Sequence, residues 1–164
     1  MRALDSVLQN YKAVLHSKQI ASTVLNKSRK AVMFHGTVFH GESFDSVERL
    51  MTTTNSDLDD LFTLLLIATF EDILFNHPNS PLGDDLVREN VTGVTTAVKH
   101  FEDKVSQKQY LAITQLCRYR DWVAHGKRWS PPPPQPAGPD IVCQQLMDFL
   151  SQAGLQPIPS ALDL

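Results

Sequence analysis

The chain has 164 residues, of which 42% are hydrophobic and 20% charged, and its net charge is −3 at neutral pH. This length suits one domain with a substantial core and is short for two. The net charge argues against a general nucleic-acid-binding protein, yet residues 42–90 are acidic whereas residues 1–31 and 99–129 are basic. We therefore expect a single domain, over residues 1–164, with two basic regions.

The cysteines and the apolar segments predict a cytoplasmic location and no membrane partner. Cys117 and Cys143 lie in apolar helical patterns without metal-ligand spacing, which is typical of buried thiols in a reducing compartment. The first twelve residues do not resemble a secretory signal. The longest apolar run, LFTLLLIATF at residues 61–70, is about half as long as a segment that crosses a bilayer.

The first part of the chain predicts long helices. Apolar residues recur at intervals of three and four over residues 4–32, which predicts one long helix with an irregularity near Lys18, or two stacked helices, ending at Gly36. The segment FHGTVFHG, at residues 34–41, predicts a connection rich in turns.

Two helices are predicted in the middle of the chain. The first covers residues 44–51 and is stopped by the polar run TTTNS. Ser56 followed by Asp59 resembles a capping box, which predicts that the second helix covers residues 57–76. This second helix is apolar nearly all round, so we expect it at the centre of a bundle or in a subunit interface.

The last part of the chain predicts three further helices. After the turn sequence NHPNSPLGDD, residues 86–101 are predicted to be helical despite several β-branched residues. Ser106 is predicted to cap a helix that ends at Gly126. The segment WSPPPPQPAGP predicts an extended loop before a last helix around residues 141–150. With no strand pattern, the predicted fold class is all-α, a bundle of about four to five main helices with a proline-rich loop before the last one.

The segment CRYRDWVAHGKRW, at residues 117–129, combines residue types that phosphodiester chemistry requires. Asp121 and His125 are four residues apart, so they share a helix face and the carboxylate can accept a hydrogen bond from the imidazole. Arg120 and His125 are about 140° apart on a straight helix. They converge on one target only if the helix loosens after Ala124 or if the target lies across a groove. An imidazole can then move a proton while a guanidinium stabilises charge on phosphate oxygens.

From the residues alone, a second interpretation of this segment stays open. Cationic side chains near a helix C-terminus stabilise the helix dipole, and Trp122 and Trp129 would then be packing anchors.

The order R-D-W-V-A-H-G resembles the motif of the HEPN superfamily, an Arg followed by Asn, Asp or His and then, after a short spacer, by a His that is often inside an AHG triplet. The matching residues are Arg120, Asp121, Ala124, His125 and Gly126. The strict match covers this segment alone, and the all-α prediction agrees with the family's helical bundle over most of the chain. The resemblance implies a metal-independent RNA endonuclease without a cofactor, found in prokaryotic toxin and antiphage systems, in which two copies pair so that both motifs face one cleft.

The resemblance also implies roles for individual residues. His125 would be the general acid or base, Arg120 would bind the phosphate, and Asp121 would orient one or both of them. Further RNA contacts would come from residues of the same segment: Arg118, Lys127, Arg128 and Trp129. Because the family often keeps a polar residue on an earlier helix facing the motif, Glu71 is a weaker candidate, and a helix-surface carboxylate is its alternative. No metal ligand is implied.

The implied partners are an RNA substrate, a second copy of the chain, and a cognate antitoxin or nucleotidyltransferase. Some family toxins carry a Tyr two residues after the His, which a nucleotidyltransferase modifies to silence them. That position is Lys127 here, which argues against silencing by that route. Two alternatives stay open: a non-catalytic module that binds nucleotides or proteins, and a structural interaction protein that uses the apolar helix around residues 61–70.

Overall fold

A computed structural model describes residues 2–28, 34, 36–37, 39–83, 91–126 and 131–156 of the chain. The described residues form five α-helices and no strand, so the predicted all-α fold class is confirmed. No helix within these ranges is both long and apolar enough to cross a membrane. In chain order, the helices are α1 (Arg2–Ser28), α2 (Phe44–Asn76), α3 (Val94–Lys99), α4 (Gln107–Ala124) and α5 (Pro139–Gln152).

Helix α2 lies at the centre of the bundle and contacts each of the other four helices. Its buried apolar residues recur on one side, as the spacing of a core-facing stripe requires: Phe62, Leu66, Ile67, Phe70 and Leu74. The ring of Phe70 lies edge-on to that of Phe149 on α5, with the centroids 5.4 Å apart. The prediction of a central helix is therefore confirmed. Leu61 and Leu65, on its outer side, stay exposed.

The prediction of two separate helices over residues 44–76 is wrong, because α2 runs through the polar segment TTTNS without a break. The hydroxyls of Thr52 and Thr53 donate to the carbonyls of Glu48 and Arg49, at 2.9 and 3.1 Å, within the helix itself. Hydroxyls satisfied in this way do not compete with the helical backbone. The N-cap is Ser43 instead of Ser56, and its Oγ accepts from the Ser46 N–H at 3.2 Å.

Helix α1 is one long helix, the first of the two arrangements predicted for it. Its early residues Leu4, Val7 and Tyr11 are buried, whereas the later apolar residues Ile20 and Val24 are exposed. Residues 29–33 lie outside the described residues, so the predicted end at Gly36 stays a prediction. α1 is described to Ser28, and a turn around residue 36 is closed by a hydrogen bond from the Thr37 N–H to the Phe34 carbonyl, at 3.0 Å.

The helix predicted over residues 86–101 is much shorter in the structure. Residues 84–90 lie outside the described residues, and helix α3 begins only at Val94. Gly93 precedes it with φ 155°, which interrupts any helix there. The neighbouring β-branched residues Val91 and Thr92 add no preference for a helix. Residues 94–98 nevertheless bury Val94, Ala97 and Val98 against the core.

The ends of the last two helices follow the predictions. The Ser106 side chain caps α4 by accepting from the Gln109 N–H at 3.3 Å. Helix α4 ends at Ala124, two residues before Gly126, whose φ of 72° suits a helix C-terminus. Helix α5 ends at Gln152, before Gly154, and the described residues 131–136 of the proline-rich segment are not helical.

Both cysteines are free and buried, as the sequence predicts. Burial, assisted by the negative charge of Asp121, raises the pKa of Cys117 to about 12, and burial also raises the pKa of Cys143. Because the thiolate is the reactive form, neither residue is expected to react with a maleimide at pH 8 in the folded protein, and both are expected to react in guanidinium chloride. Rapid labelling of either thiol in the folded protein, measured by mass spectrometry, would contradict this arrangement.

Candidate functional site

Arg120 lies near the end of α4 and is held by carboxylates from two parts of the chain. Its Nη1 donates to Asp121 Oδ1 at 2.8 Å, and its Nη2 donates to Glu71 Oε2 on α2 at 3.1 Å. The Arg120 side chain is 31% exposed and that of Glu71 23%. Ion pairs with this much exposure add little to stability, roughly 0–1 kcal/mol. Their main consequence is a fixed orientation of the guanidinium.

Glu71 therefore faces the Arg120 side of the motif, as the resemblance implies for a polar residue of an earlier helix. The segment before α3 passes beside it, since a Cβ on Gly93 would lie 3.9 Å from Glu71 Oε1. Glu71 is half-buried and paired with Arg120, and its alternative interpretation as a helix-surface carboxylate stays open. A role of Glu71 in catalysis stays a prediction.

The charges in this cluster do not balance, because one guanidinium faces two carboxylates. The hydrogen bond to Asp121, followed by the negative charge of Glu71, holds the pKa of Arg120 above its ordinary value, although burial opposes the shift. Arg120 is therefore a permanent cation, and its side chain is exposed enough to meet an anionic ligand. Such a ligand also meets the negative charge of the carboxylates, so further cations are needed nearby.

His125 occupies the C-cap of α4, and its side chain is exposed. Its backbone N–H donates to the Asp121 carbonyl at 3.0 Å, while φ of −89° and ψ of 17° take the chain out of the helix. The helix thus loosens directly after Ala124, which is one of the two conditions predicted for Arg120 and His125 to converge. The predicted hydrogen bond between the Asp121 carboxylate and the imidazole stays a prediction.

A groove of about 710 Å³ lies beside the end of α4. It brings Arg118, Asp121 and His125 together, whereas Arg120 and Glu71 are not among the described residues that line it. Asp121 connects the ion pairs of Arg120 with the groove, because its side chain contacts Arg120 and also lines the groove. The described lining residues are Gln115, Arg118, Asp121, His125, Pro131, Pro132, Pro133 and Pro134.

The other residues predicted to bind RNA have different outcomes. Arg118 is exposed at the groove. Lys127, Arg128 and Trp129 lie outside the described residues. Trp122 is half-buried and packs against the Tyr119 ring, with the centroids 5.8 Å apart, which agrees with its alternative role in packing.

Two buried residues next to the site, Tyr119 and Asp60, were missed by the sequence analysis. The Tyr119 hydroxyl donates to Asp60 Oδ1, and both side chains are buried. Burial, followed by the contact with Asp60, raises the pKa of Tyr119. Burial of Asp60 is unusual, because aspartate is mostly exposed in folded proteins. A polar residue directly before the long apolar run of α2 is the only signal that could have indicated its burial.

This hydrogen bond fixes the position of α4 on α2. Asp60 and Glu71 lie about 16 Å apart along the α2 axis, at roughly 1.5 Å per residue. Tyr119 and Arg120 are neighbours in sequence, yet one contacts Asp60 and the other contacts Glu71. They therefore reach in opposite directions along α2. Contacts at two separated points hold the end of α4, and with it the side chain of Arg120, in one orientation.

Comparison of the chain with protein-family models, with curated proteins and with solved structures finds no match. The fold and the site define an all-α bundle with an oriented arginine, an exposed histidine and a groove at the end of one helix. A functional proposal therefore rests on this geometry and on the resemblance of residues 120–126 to the HEPN motif.

Proposed function

We propose that the chain is a metal-independent RNA endonuclease of the HEPN type, which acts as a homodimer in a toxin or antiphage defence system of the cytoplasm. The observation that carries the proposal is the placement of Arg120 between Glu71 and Asp121, together with a groove that Asp121 shares with the exposed His125. An oriented guanidinium and an exposed imidazole at the end of the same helix can supply charge stabilisation and proton transfer, the two requirements of phosphodiester cleavage.

In the proposed reaction, the 2′-hydroxyl of the RNA attacks the adjacent phosphorus. The new 2′-O–P bond forms as the bond to the 5′-oxygen breaks, which gives a 2′,3′-cyclic phosphate and a 5′-hydroxyl end. One imidazole takes the proton of the nucleophile, and another group must protonate the leaving oxygen. Arg120 stabilises the negative charge on the phosphate with the N–H groups that its carboxylate partners leave available.

A second copy of the chain would complete this site. One chain supplies one His125, whereas two chains related by a two-fold axis supply both an acid and a base. The exposed face of α4 supports such pairing, since the exposed Leu111 lies on the same helix face as the groove residues Gln115 and Arg118. Burial of Leu111 against a second copy would place two grooves next to each other and add the cations that the Arg120 cluster lacks.

A cleavage assay in EDTA tests the proposal. The purified chain is expected to cut single-stranded RNAs of mixed sequence into fragments with 2′,3′-cyclic phosphate ends. Strands of the same sequence made entirely of 2′-deoxynucleotides should stay intact, because they lack the nucleophile. A strict requirement for a divalent metal would contradict the proposal, as would the absence of both cleavage and growth toxicity.

A non-catalytic binding module is the second candidate. The groove favours it, because Arg118 and His125 line the groove whereas Arg120 is not among its described lining residues. The two candidates differ in whether the unaltered protein forms a cleavage product, because both are expected to bind RNA after replacement of His125. A binding module would hold RNA or a nucleotide equally well after replacement of His125, and it would form no product.

A further inference from the structure

The proline-rich segment before α5 has the sequence PPPPQP over residues 131–136 and leads to Pro139, the buried first residue of that helix. A proline ring fixes φ of its own residue, and a residue that precedes a proline is restricted to extended conformations. Consecutive prolines therefore hold the segment close to a polyproline II helix. Such a helix has three residues per turn and rises about 3.1 Å per residue.

The burial of the segment follows this threefold repeat. Residues three apart lie on one edge of a polyproline II helix, about 9 Å from each other. Pro133 and Pro136 are both half-buried, so they form the edge that lies against the bundle, which we call the inner edge. The residues of the other two edges are all exposed, and we call these the outer edges: Pro131 with Pro134, and Pro132 with Gln135.

The outer edges offer apolar rings and hydrogen-bond acceptors to another molecule. Packing against the bundle accounts for the prolines of the inner edge alone, whereas Pro131, Pro132 and Pro134 are exposed. Within the described part of the chain, residues 131–136 form no hydrogen bond, so their carbonyls have no protein partner there. The segment therefore presents both of the features by which a second protein can bind an extended chain.

From this exposed surface we propose that the outer edges are the docking site of a partner protein whose groove is lined by aromatic side chains. Such grooves, as in SH3, WW and EVH1 domains, bind polyproline II helices with the pattern P-x-x-P. Pro131 and Pro134 form this pattern on one outer edge, and both are exposed. Aromatic faces of the partner pack on the proline rings, while its indole and hydroxyl groups donate to the carbonyls.

The chemistry of the segment favours a protein over a nucleic acid as the occupant. Residues 131–136 include no charged side chain, whereas contacts of Lys and Arg with phosphates supply much of the affinity for nucleic acids. The proline rings also fix the backbone before binding, so that few torsions are ordered when a partner docks. A groove with aromatic faces and N–H donors is complementary to this uncharged, preformed surface.

Binding of isolated domains to the full chain tests the proposal. The probes are one SH3, one WW and one EVH1 domain, each chosen because it binds oligoproline peptides. The chain would be immobilised through its N-terminus and binding followed by biolayer interferometry. At least one domain is expected to bind with a micromolar dissociation constant. An oligoproline peptide should displace it, and a glycine–serine peptide of the same length should not.

Single substitutions compare an outer edge with the inner edge. Pro134→Ala removes an exposed ring and should weaken binding about tenfold, the effect of losing a central contact. Pro136→Ala is the matched control, because it removes one ring and similar rigidity from the inner edge, and it should weaken binding less than about threefold. Neither proline belongs to the described hydrophobic core, so circular dichroism should show an unchanged helical fold in both variants.

Three results would overturn the docking site. They are no binding of any of the three domains, binding that the oligoproline peptide does not displace, and equal losses of affinity in the two variants. None of these measurements involves RNA, so their outcome is independent of the proposed function. A chain that cuts RNA and binds none of the domains would keep the proposed function and lose the docking site, whereas binding without cleavage would do the opposite.

Discussion

Replacement of His125 by alanine is expected to lower the rate of RNA cleavage by about 100-fold or more, the usual contribution of a positioned general acid or base. The fold should persist, because the His125 side chain is exposed and its backbone N–H keeps the hydrogen bond to the Asp121 carbonyl. Circular dichroism and the thermal unfolding midpoint would verify the fold. Cleavage would be followed in EDTA with a labelled RNA whose products are separated by gel electrophoresis.

Arg120→Ala is expected to reduce cleavage to a similar extent, about 100-fold or more, since it removes the group that stabilises charge on the phosphate. The loss in stability should be small, because the ion pairs of Arg120 are partly exposed. His16→Ala and Arg49→Ala are matched controls. Both residues are exposed, His16 on α1 and Arg49 on α2, and neither is among the described residues of the groove.

The results of these variants separate the candidate functions. If both variants keep the cleavage rate of the unaltered protein, the HEPN-type mechanism is wrong and the measured nuclease activity belongs to another site or to a contaminant. If cleavage is lost only together with the native fold, Arg120 and His125 are structural residues. Loss of cleavage with unchanged stability in both variants, and with unchanged RNA binding in the His125 variant, is the outcome that the geometry predicts.

Much of the fold could be predicted because most helices carry a regular apolar stripe and recognisable ends. The Ser106 cap, the stop near Gly126 and the extent of α5 all follow from local rules that the structure confirms. The helix propensities of single residues predict a break at the polar segment TTTNS. They do not include the hydrogen bonds that its hydroxyls donate to the helical carbonyls, and the helix continues. The pattern over residues 86–101 predicts too long a helix, because Gly93 breaks the helix before α3.

The sequence predicts only those features of the site whose residues lie close together in the chain. Arg120, Asp121 and His125 lie within six consecutive residues, and helical spacing predicts that Asp121 and His125 share a face, as the groove that both line confirms. The contact of Arg120 with Glu71 depends on how α4 crosses α2, which no local pattern specifies. Tyr119 and Asp60 were missed for the same reason, since their hydrogen bond joins residues far apart in the chain. The packing of α4 against α2 therefore determines which residues the side chains of the motif contact.

The second large effect is expected from Tyr119→Phe, which removes the hydroxyl that donates to the buried Asp60. The free energy of unfolding should fall by about 1–3 kcal/mol, because a buried carboxylate loses a donor. Tyr11→Phe is a matched variant, since the Tyr11 hydroxyl donates to Asp59 on the same helix at 2.7 Å and Tyr11 is also buried. Urea denaturation followed by circular dichroism would measure both losses.

The pH dependence of stability gives an independent measure of the same two hydroxyls. Burial, followed by the hydrogen bond to Asp59, raises the pKa of Tyr11 to about 12, and burial with the contact to Asp60 raises the pKa of Tyr119. Because each folded pKa lies above the unfolded value of about 10, the associated stability is complete below that pH and is lost as pH rises toward the folded value. The double variant Tyr11→Phe with Tyr119→Phe should therefore lose less stability between pH 9 and pH 11 than the unaltered protein does.

The kcat of RNA cleavage distinguishes the Tyr119 variant from the Tyr11 variant if Tyr119 positions Arg120. Tyr119→Phe should lower kcat with little change in KM, since the end of α4 loses one of the two contacts that hold it on α2 and the guanidinium is less well oriented. Tyr11→Phe should cost comparable stability and leave kcat unchanged, because Tyr11 lies on α1 and contacts Asp59 instead. Equal kcat values for the two variants, at temperatures where both are folded, would show that the Tyr119–Asp60 contact stabilises the bundle without positioning Arg120.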